Sequence, residues 1–244
     1  MSDPLMIAFV VEGPTDFIML KEIVKKFLGG RDFVSQTLQP EMSEAFLLTP
    51  GEDGGWPGVC RWCLQAADQG EGRLSSNPLF ISYDVLVFQL DADVASSTYA
   101  EGHIIPDPFP ESTLPCEEPC PPPSATTNRL REIALKWMGE AATPPRTVFC
   151  IPSKALETWV LVGLFPNDGV VGREDLECRP NPSDTLQGKP LKRRLVSSGK
   201  KNVGKYKEFA QEFARNWGTV AARCIEARRF ENEFVIALSQ LKNQ

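Results

Sequence analysis

The chain has 244 residues, of which 42% are hydrophobic and 24% charged, so it can bury the core of one large domain or of a domain with an appendage. No apolar run approaches the roughly 20 residues of a membrane span, and no signal-peptide pattern is present, so we predict a cytoplasmic protein without a membrane partner. The net charge of −6 excludes a uniformly basic nucleic-acid binder but permits a local basic patch.

Three short apolar runs, each followed by a helical pattern, indicate the fold. The runs cover residues 6–11, 84–90 and 146–151, and helical spacing follows over residues 17–28, 128–138 and 153–165. Strands that are apolar throughout and alternate with helices are typical of a parallel sheet covered on both faces. We therefore predict an α/β, Rossmann-like fold with a mostly parallel sheet and flanking helices.

The segments between and after these elements are less regular. Residues 31–80 are weakly patterned, with a strand predicted at 46–48, a loop at 51–58 and a helix at 59–67. Thr15 and Ser153 are the predicted N-caps of the first and third helices. We predict an α/β domain over residues 1–165, with a proline-rich insertion at about 94–127. A basic loop and a helical region over residues 166–244 would pack on that domain.

Acidic residues follow each of the predicted strands. Glu12 follows the first strand, Asp91 and Asp93 follow the second, and Glu157 lies in the helix after the third. Because ligands bind outside the carboxyl ends of parallel strands, we expect these carboxylates to meet at one sheet edge. If the extended backbone continues, the two aspartates face the same side. Clustered carboxylates repel one another unless a cation compensates them, and oxygen ligands suit Mg²⁺ or Mn²⁺.

Two motifs carry a resemblance to a known family. Val11-Glu12-Gly13-Pro14-Thr15-Asp16 and Leu90-Asp91-Ala92-Asp93 resemble the Toprim domain of topoisomerases, primases and OLD-type nucleases. The resemblance implies an acid–base or metal role for the glutamate and Mg²⁺ binding by the two aspartates of the second motif. OLD-type nucleases add an acidic residue one turn later, which Asp16 matches. They also have a later Ser-x-x-x-Glu pattern with a nearby lysine, to which Ser153–Glu157, with Lys154, is similar.

The chain therefore looks like the small stand-alone Toprim proteins of bacteria and phage-defence loci, and we predict a metal-dependent nuclease acting on DNA or RNA. Its predicted catalytic residues are Glu12, Asp91, Asp93, Glu157 and Lys154, and its predicted metal ligands are Glu12, Asp16, Asp91 and Asp93. The predicted nucleic-acid contacts lie in a basic run and are Lys192, Arg193, Arg194, Lys200 and Lys201.

Other functions stay open. The domain could be a non-catalytic Toprim-like sensor or interaction module of a multi-protein defence complex, or a small-molecule phosphotransfer or nucleotide enzyme. The chain has no Gly-x-x-x-x-Gly-Lys-Ser/Thr loop, so any ATPase or sensor partner would be a separate protein.

Seven cysteines, an odd number, are predicted to be mostly reduced thiols. Cys60 with Cys63 and Cys116 with Cys120 form two closely spaced pairs, which together could hold a structural zinc ion. The two pairs are far apart in sequence, so loop cysteines without a metal are the preferred interpretation.

Overall fold

A four-stranded sheet forms the centre of the computed structural model, which describes residues 3–40, 54–104 and 114–241. Its strands are β1 (Leu5–Val10), β2 (Phe33–Gln39), β3 (Val85–Gln89) and β4 (Thr147–Cys150). They lie in the order β2-β1-β3-β4, and all three neighbouring pairs are parallel. The predicted α/β fold with a parallel sheet and flanking helices is therefore confirmed.

Helices cover the sheet and continue to the end of the described chain. They are α1 (Pro14–Phe27), α2 (Gly55–Gln69), α3 (Pro78–Ile81), α4 (Ser124–Trp137), α5 (Leu156–Leu164), α6 (Pro182–Gln187), α7 (Val203–Arg215), α8 (Trp217–Arg223) and α9 (Ile225–Leu241). A short antiparallel hairpin of β5 (Val196–Ser197) and β6 (Lys200–Lys201) precedes α7. None of the helices in the described ranges combines the length and apolarity that crossing a membrane requires.

Side chains alternate along the strands and so separate the interior into two hydrophobic clusters. Ile7 and Phe9 of β1 belong to the cluster that contains α1, α5 and α7–α9, whereas Ala8 and Val10 belong to the cluster with α2 and α4. The rings of Trp159 and Trp217, 5.6 Å apart, join α5 to the carboxyl-terminal helices. Helices that follow residue 165 thus share a core with the sheet.

The segment between α1 and β3 differs most from the prediction. Strand β2 lies at an edge of the sheet and has the sequence FVSQTLQ, whose polar, half-exposed residues lack the apolar run of the other strands. The predicted loop at 51–58 was wrong in its last part, because α2 already begins at Gly55. The strand predicted at 46–48 lies outside the described residues.

Both predicted N-caps were wrong. Gly13 precedes α1, because Pro14 takes the first helical position, where its missing N–H costs no hydrogen bond. Ala155 precedes α5, and the Ser153 hydroxyl instead donates to the carbonyl oxygen of Glu177. The turn between β4 and α5 is therefore tied to the carboxyl-terminal part of the chain.

Candidate active site

The carboxyl ends of β1 and β3 form a crevice at the point where the strand order reverses. The chain leaves β1 towards β2 on one side and later returns to place β3 on the other side of β1. In open parallel sheets, ligands bind at such a switch point. Glu12 follows β1 and Asp91 follows β3, so the two predicted residues border this crevice.

Three hydrogen bonds link the two strand ends, and Gln89 takes part in two of them. The main-chain N–H of Glu12 donates to Gln89 Oε1 (2.9 Å), and Gln89 Nε2 donates to Asp91 Oδ1 (2.8 Å). The Asp91 N–H in turn donates to Glu12 Oε1 (2.6 Å). Gln89 is fully buried. In the sequence it is recognisable only as the one polar residue of an otherwise apolar strand. We did not predict it as a site residue.

The loops that follow β3 and β4 are bonded to each other. Asp91 Oδ1 also accepts the N–H of Leu156 (3.1 Å), the first residue of α5. The Asp93 N–H donates to the carbonyl oxygen of Lys154 (2.9 Å). After Asp91 the chain turns into a short 3-10 helix, so the extended backbone expected through Ala92 does not continue. Asp91 is therefore buried, whereas Asp93 is exposed.

Lys201 lies among the carboxylates. Its Nζ is 2.7 Å from Glu157 Oε1 and 3.4 Å from Asp16 Oδ1. The Tyr206 hydroxyl, which is fully buried, donates to the same Glu157 oxygen (2.7 Å). We predicted Lys201 as a surface contact to nucleic acid, but the structure places it in the acidic site.

The hairpin turn explains why the second of two adjacent lysines enters the site. Ser198 and Gly199 both have positive φ (48° and 72°), as a two-residue hairpin loop requires. Residues on either strand of the hairpin then alternate between its two faces, so Lys201 reaches the carboxylates and Lys200 remains exposed.

Burial and mutual repulsion raise the pKa values of the acidic groups. Burial, with the charge of Asp93, raises the pKa of Glu12 to about 8. Burial, with the charges of Glu12 and Asp16, raises the pKa of Asp91 well above its ordinary value. Burial alone would lower the pKa of Lys201, but the charges of Asp16 and Glu157 raise it well above its ordinary value. The lysine stays protonated and compensates only part of the negative charge.

A solvent-open cavity of about 610 Å³ lies over these groups. Its walls combine carboxylates with lysines and with the amino-terminal ends of α1 and α2, and its lining residues are Glu12, Gly13, Pro14, Thr15, Asp16, Gly54, Gly55, Asp91, Lys200, Lys201 and Val203. Helix amino termini attract anions, and the volume is typical of ligand pockets. The cavity therefore offers groups for a cation and groups for a phosphate side by side.

The acidic residues match a divalent cation in chemistry, since carboxylate oxygens are the ligands that Mg²⁺ and Mn²⁺ take. The raised pKa values of Glu12 and Asp91 identify carboxyl groups whose charge is poorly compensated. Within the described residues, however, no three His, Cys, Asp or Glu side chains are arranged as a finished metal site. Cation binding would thus require a carboxylate to turn from its present partner, as Glu12 would from the Asp91 N–H.

Comparison with known proteins finds no matching family model, no similar curated protein and no similar solved structure. The likeness to Toprim domains rests on the two sequence motifs alone and stays a prediction.

Three of the predicted nucleic-acid contacts already bind other groups of the protein. Arg193 pairs with Glu212 (2.6 Å), and the Arg194 guanidinium donates to the carbonyl oxygen of Lys189 (2.9 Å). Lys201 is in the acidic site, so Lys192 and Lys200 are the exposed lysines of the predicted set. Lys154, predicted as catalytic, pairs with Glu117 (2.7 Å), a residue of the proline-rich insertion.

The structure does not bring the four cysteines of the predicted zinc set together as a metal site within the described residues. Cys60 and Cys63 are buried on helix α2 and not in a loop. Cys120 forms a disulfide with Cys178, which the sequence did not indicate, and Cys116 remains a free thiol.

Proposed function

We propose that this chain is a Mg²⁺- or Mn²⁺-dependent nuclease of the Toprim type, which cleaves phosphodiester bonds in DNA or RNA. The observation that carries the proposal is the buried carboxylate of Asp91 beside the half-buried carboxylate of Glu12, at the switch point of a parallel sheet. A solvent-open cavity and a charged lysine adjoin them.

The acidic residues divide into two groups by their present partners. Asp91 and Asp93, with Glu12, would hold the divalent cation, which when bound neutralises phosphate charge and acts as a Lewis acid. Where Glu12 does not bind the cation, its pKa of about 8 allows this carboxyl group to accept or release a proton near neutral pH. Asp16 and Glu157 hold Lys201 in place.

The basic groups around the cavity would bind the nucleic-acid backbone. Lys201 is a protonated group beside the carboxylates, where it can stabilise negative charge that develops on a phosphate. Lys200 lines the cavity, is exposed and can contact a neighbouring phosphate, and Lys192 would extend this contact. Since the chain carries a net charge of −6, binding should depend strongly on these few lysines and on salt.

One observation favours a second candidate, a non-catalytic Toprim-like sensor or interaction module in an anti-phage defence complex. Lys201 already compensates Asp16 and Glu157, and no three ligating side chains converge in the described ranges. In this alternative the ammonium group of Lys201 takes the place of a metal ion. The domain then acts through a separate ATPase or sensor protein.

A cleavage assay separates the two candidates. The purified chain is incubated with plasmid DNA and with structured RNA, each with Mg²⁺, Mn²⁺ or a chelator. The test variant is Asp91→Ala/Asp93→Ala, and the control is Asp68→Ala, which removes an exposed carboxylate outside the cavity lining. Metal-dependent cleavage by the wild type and the control, but not by the test variant, supports the nuclease. Equal cleavage by all three proteins would reveal a contaminant and contradict the assignment.

A further inference from the structure

A disulfide between Cys120 and Cys178 joins segments 58 residues apart in sequence. Both cysteines are half-buried, so a small reductant can reach the sulfur atoms. The ring that this bond closes contains β4 and α5, and with them Lys154 and Glu157 of the candidate active site. The disulfide therefore joins two segments of the chain that both lie near the candidate active site.

On the Cys120 side, residues 114–120 lie across the loops that follow β3 and β4. The Cys116 N–H donates to the carbonyl oxygen of Ala95 (2.7 Å), and Glu117 pairs with Lys154 (2.7 Å). The Lys154 carbonyl oxygen accepts the N–H of Asp93 (2.9 Å). A chain of direct contacts thus leads from this segment to a predicted metal ligand.

On the Cys178 side, the neighbouring residue Glu177 ties two further elements together. Its carbonyl oxygen accepts the Ser153 hydroxyl, next to Lys154. Its carboxylate accepts the N–H groups of Ile225 (2.7 Å) and Glu226 (3.4 Å) at the start of α9. Both sides of the disulfide therefore meet at the turn between β4 and α5, which supplies Lys154.

The other contacts of the 114–120 segment are unequal in strength. Leu114 is buried in the core and anchors one end of the segment. Towards the other end, the Glu118 N–H donates to the Thr126 hydroxyl (3.0 Å) of helix α4, and the ion pair of Lys154 with the exposed carboxylate of Glu117 contributes little. These contacts fix the segment to helix α4, and the disulfide is its covalent link to the turn that contains Glu177.

We propose that the Cys120–Cys178 disulfide is a redox-sensitive tether that holds the Asp93 loop and the Lys154 turn in place at the candidate active site. A dithiol reductant would supply two electrons and two protons, break the Sγ–Sγ bond to give two thiols, and itself become a disulfide. Reduction then frees the segment, loosens both loops and weakens cation binding. This regulation concerns the proposed active site and rests on that proposal.

The tether is tested on the full-length chain by hydrogen–deuterium exchange, which needs neither metal nor substrate. Oxidised protein, in which peptide mapping verifies the disulfide, is compared with protein reduced by dithiothreitol and desalted without oxygen. We expect faster exchange after reduction in residues 92–97 and 153–157, with helix α2 unchanged. Cys120→Ser and Cys178→Ser should reproduce this, whereas Cys116→Ser, which removes a free thiol four residues away, should not.

Manganese titration of the same proteins provides the second measurement. The dissociation constant should rise on the order of tenfold without the disulfide, as it does when groups that position metal ligands are lost. Absence of the disulfide from oxidised protein, or equal exchange in both states, would overturn the tether. Loss of protection throughout the sheet would also overturn it, because the bond would then stabilise the whole fold. Local exchange that changes with redox state in a protein that cleaves nothing would retain the tether and reject the nuclease.

Discussion

At the scale of single residues, Gln89 connects the two strand ends that carry the central carboxylates. Its amide accepts from the Glu12 N–H and donates to Asp91, so replacement by an apolar side chain leaves both groups without these partners. Gln89→Leu should lower the free energy of unfolding by about 1–3 kcal/mol, the cost of a buried polar group that loses its partner. Urea denaturation measures this, and Gln36→Leu, at an exposed position on β2, is the control. Equal stabilities of the two variants would contradict the bridging role.

Glu12 should make the stability of the metal-free protein depend on pH. Its pKa is raised to about 8 in the folded state, so the native state holds the proton more tightly than the unfolded chain does. The stability from this group is fully present below the ordinary glutamate pKa and is lost as the pH rises towards about 8. Thermal unfolding should therefore show a larger fall in stability between about pH 5.5 and 8.5 for the wild type than for Glu12→Gln. Parallel pH profiles would exclude a raised pKa at this position.

The sequence predicted only part of the site. Glu12 and Asp91 were predictable because each follows an apolar strand, and parallel strands bring their carboxyl ends together. The contact of Lys201 with the carboxylates was not predictable, because adjacent lysines in a basic run look alike and the hairpin turn decides which one points inward. Tyr206, one residue of an amphipathic helix, gave no sign that its hydroxyl contacts Glu157.

At the scale of elements, the β5–β6 hairpin determines the position of Lys201. Gly199 has a φ of 72°, a region that costs residues with a Cβ roughly 1–2 kcal/mol. Gly199→Ala should therefore lower the free energy of unfolding by about this amount and displace Lys201 from the carboxylates.

Gly218→Ala is the matched control, because Gly218 lies in helix α8 with open space around its Cα. This substitution should be neutral or stabilise the protein by up to about 1 kcal/mol. Chemical denaturation compares the two variants. A Gly199→Ala protein as stable as the wild type would mean that the turn does not have this conformation.

The buried strands were easier to predict from the sequence than the half-exposed one. The three strands found in the sequence are buried on both faces, so each is an apolar run. Strand β2 is half-exposed, and its sequence FVSQTLQ is neither an apolar run nor an alternation of polar and apolar residues, so its pattern was too weak to distinguish it from a loop. The disulfide was also unpredictable, because the pairing of Cys120 with Cys178 depends on how the last part of the chain packs.

At the scale of the whole molecule, the carboxyl-terminal helices complete both the core and the site. Trp217 and Phe230 pack on Trp159 of α5, so residues beyond 165 bury one face of the sheet. The same region supplies Lys201 and Tyr206 to the carboxylates. The site therefore requires the fold of both parts of the chain, although its acidic motifs lie in the first part.

The most direct test of the central claim is a calorimetric titration of the metal-free, full-length protein with Mn²⁺, at a pH above about 8 where Glu12 is ionised. The proposed site predicts saturable binding by the wild type and by Asp68→Asn, and at least about tenfold weaker binding by Asp91→Asn and by Glu12→Gln. Absence of binding by the wild type, or equal affinity in all four proteins, would contradict a cation site at the ends of β1 and β3. Absence of binding would favour the non-catalytic alternative, in which Lys201 supplies the positive charge of the site.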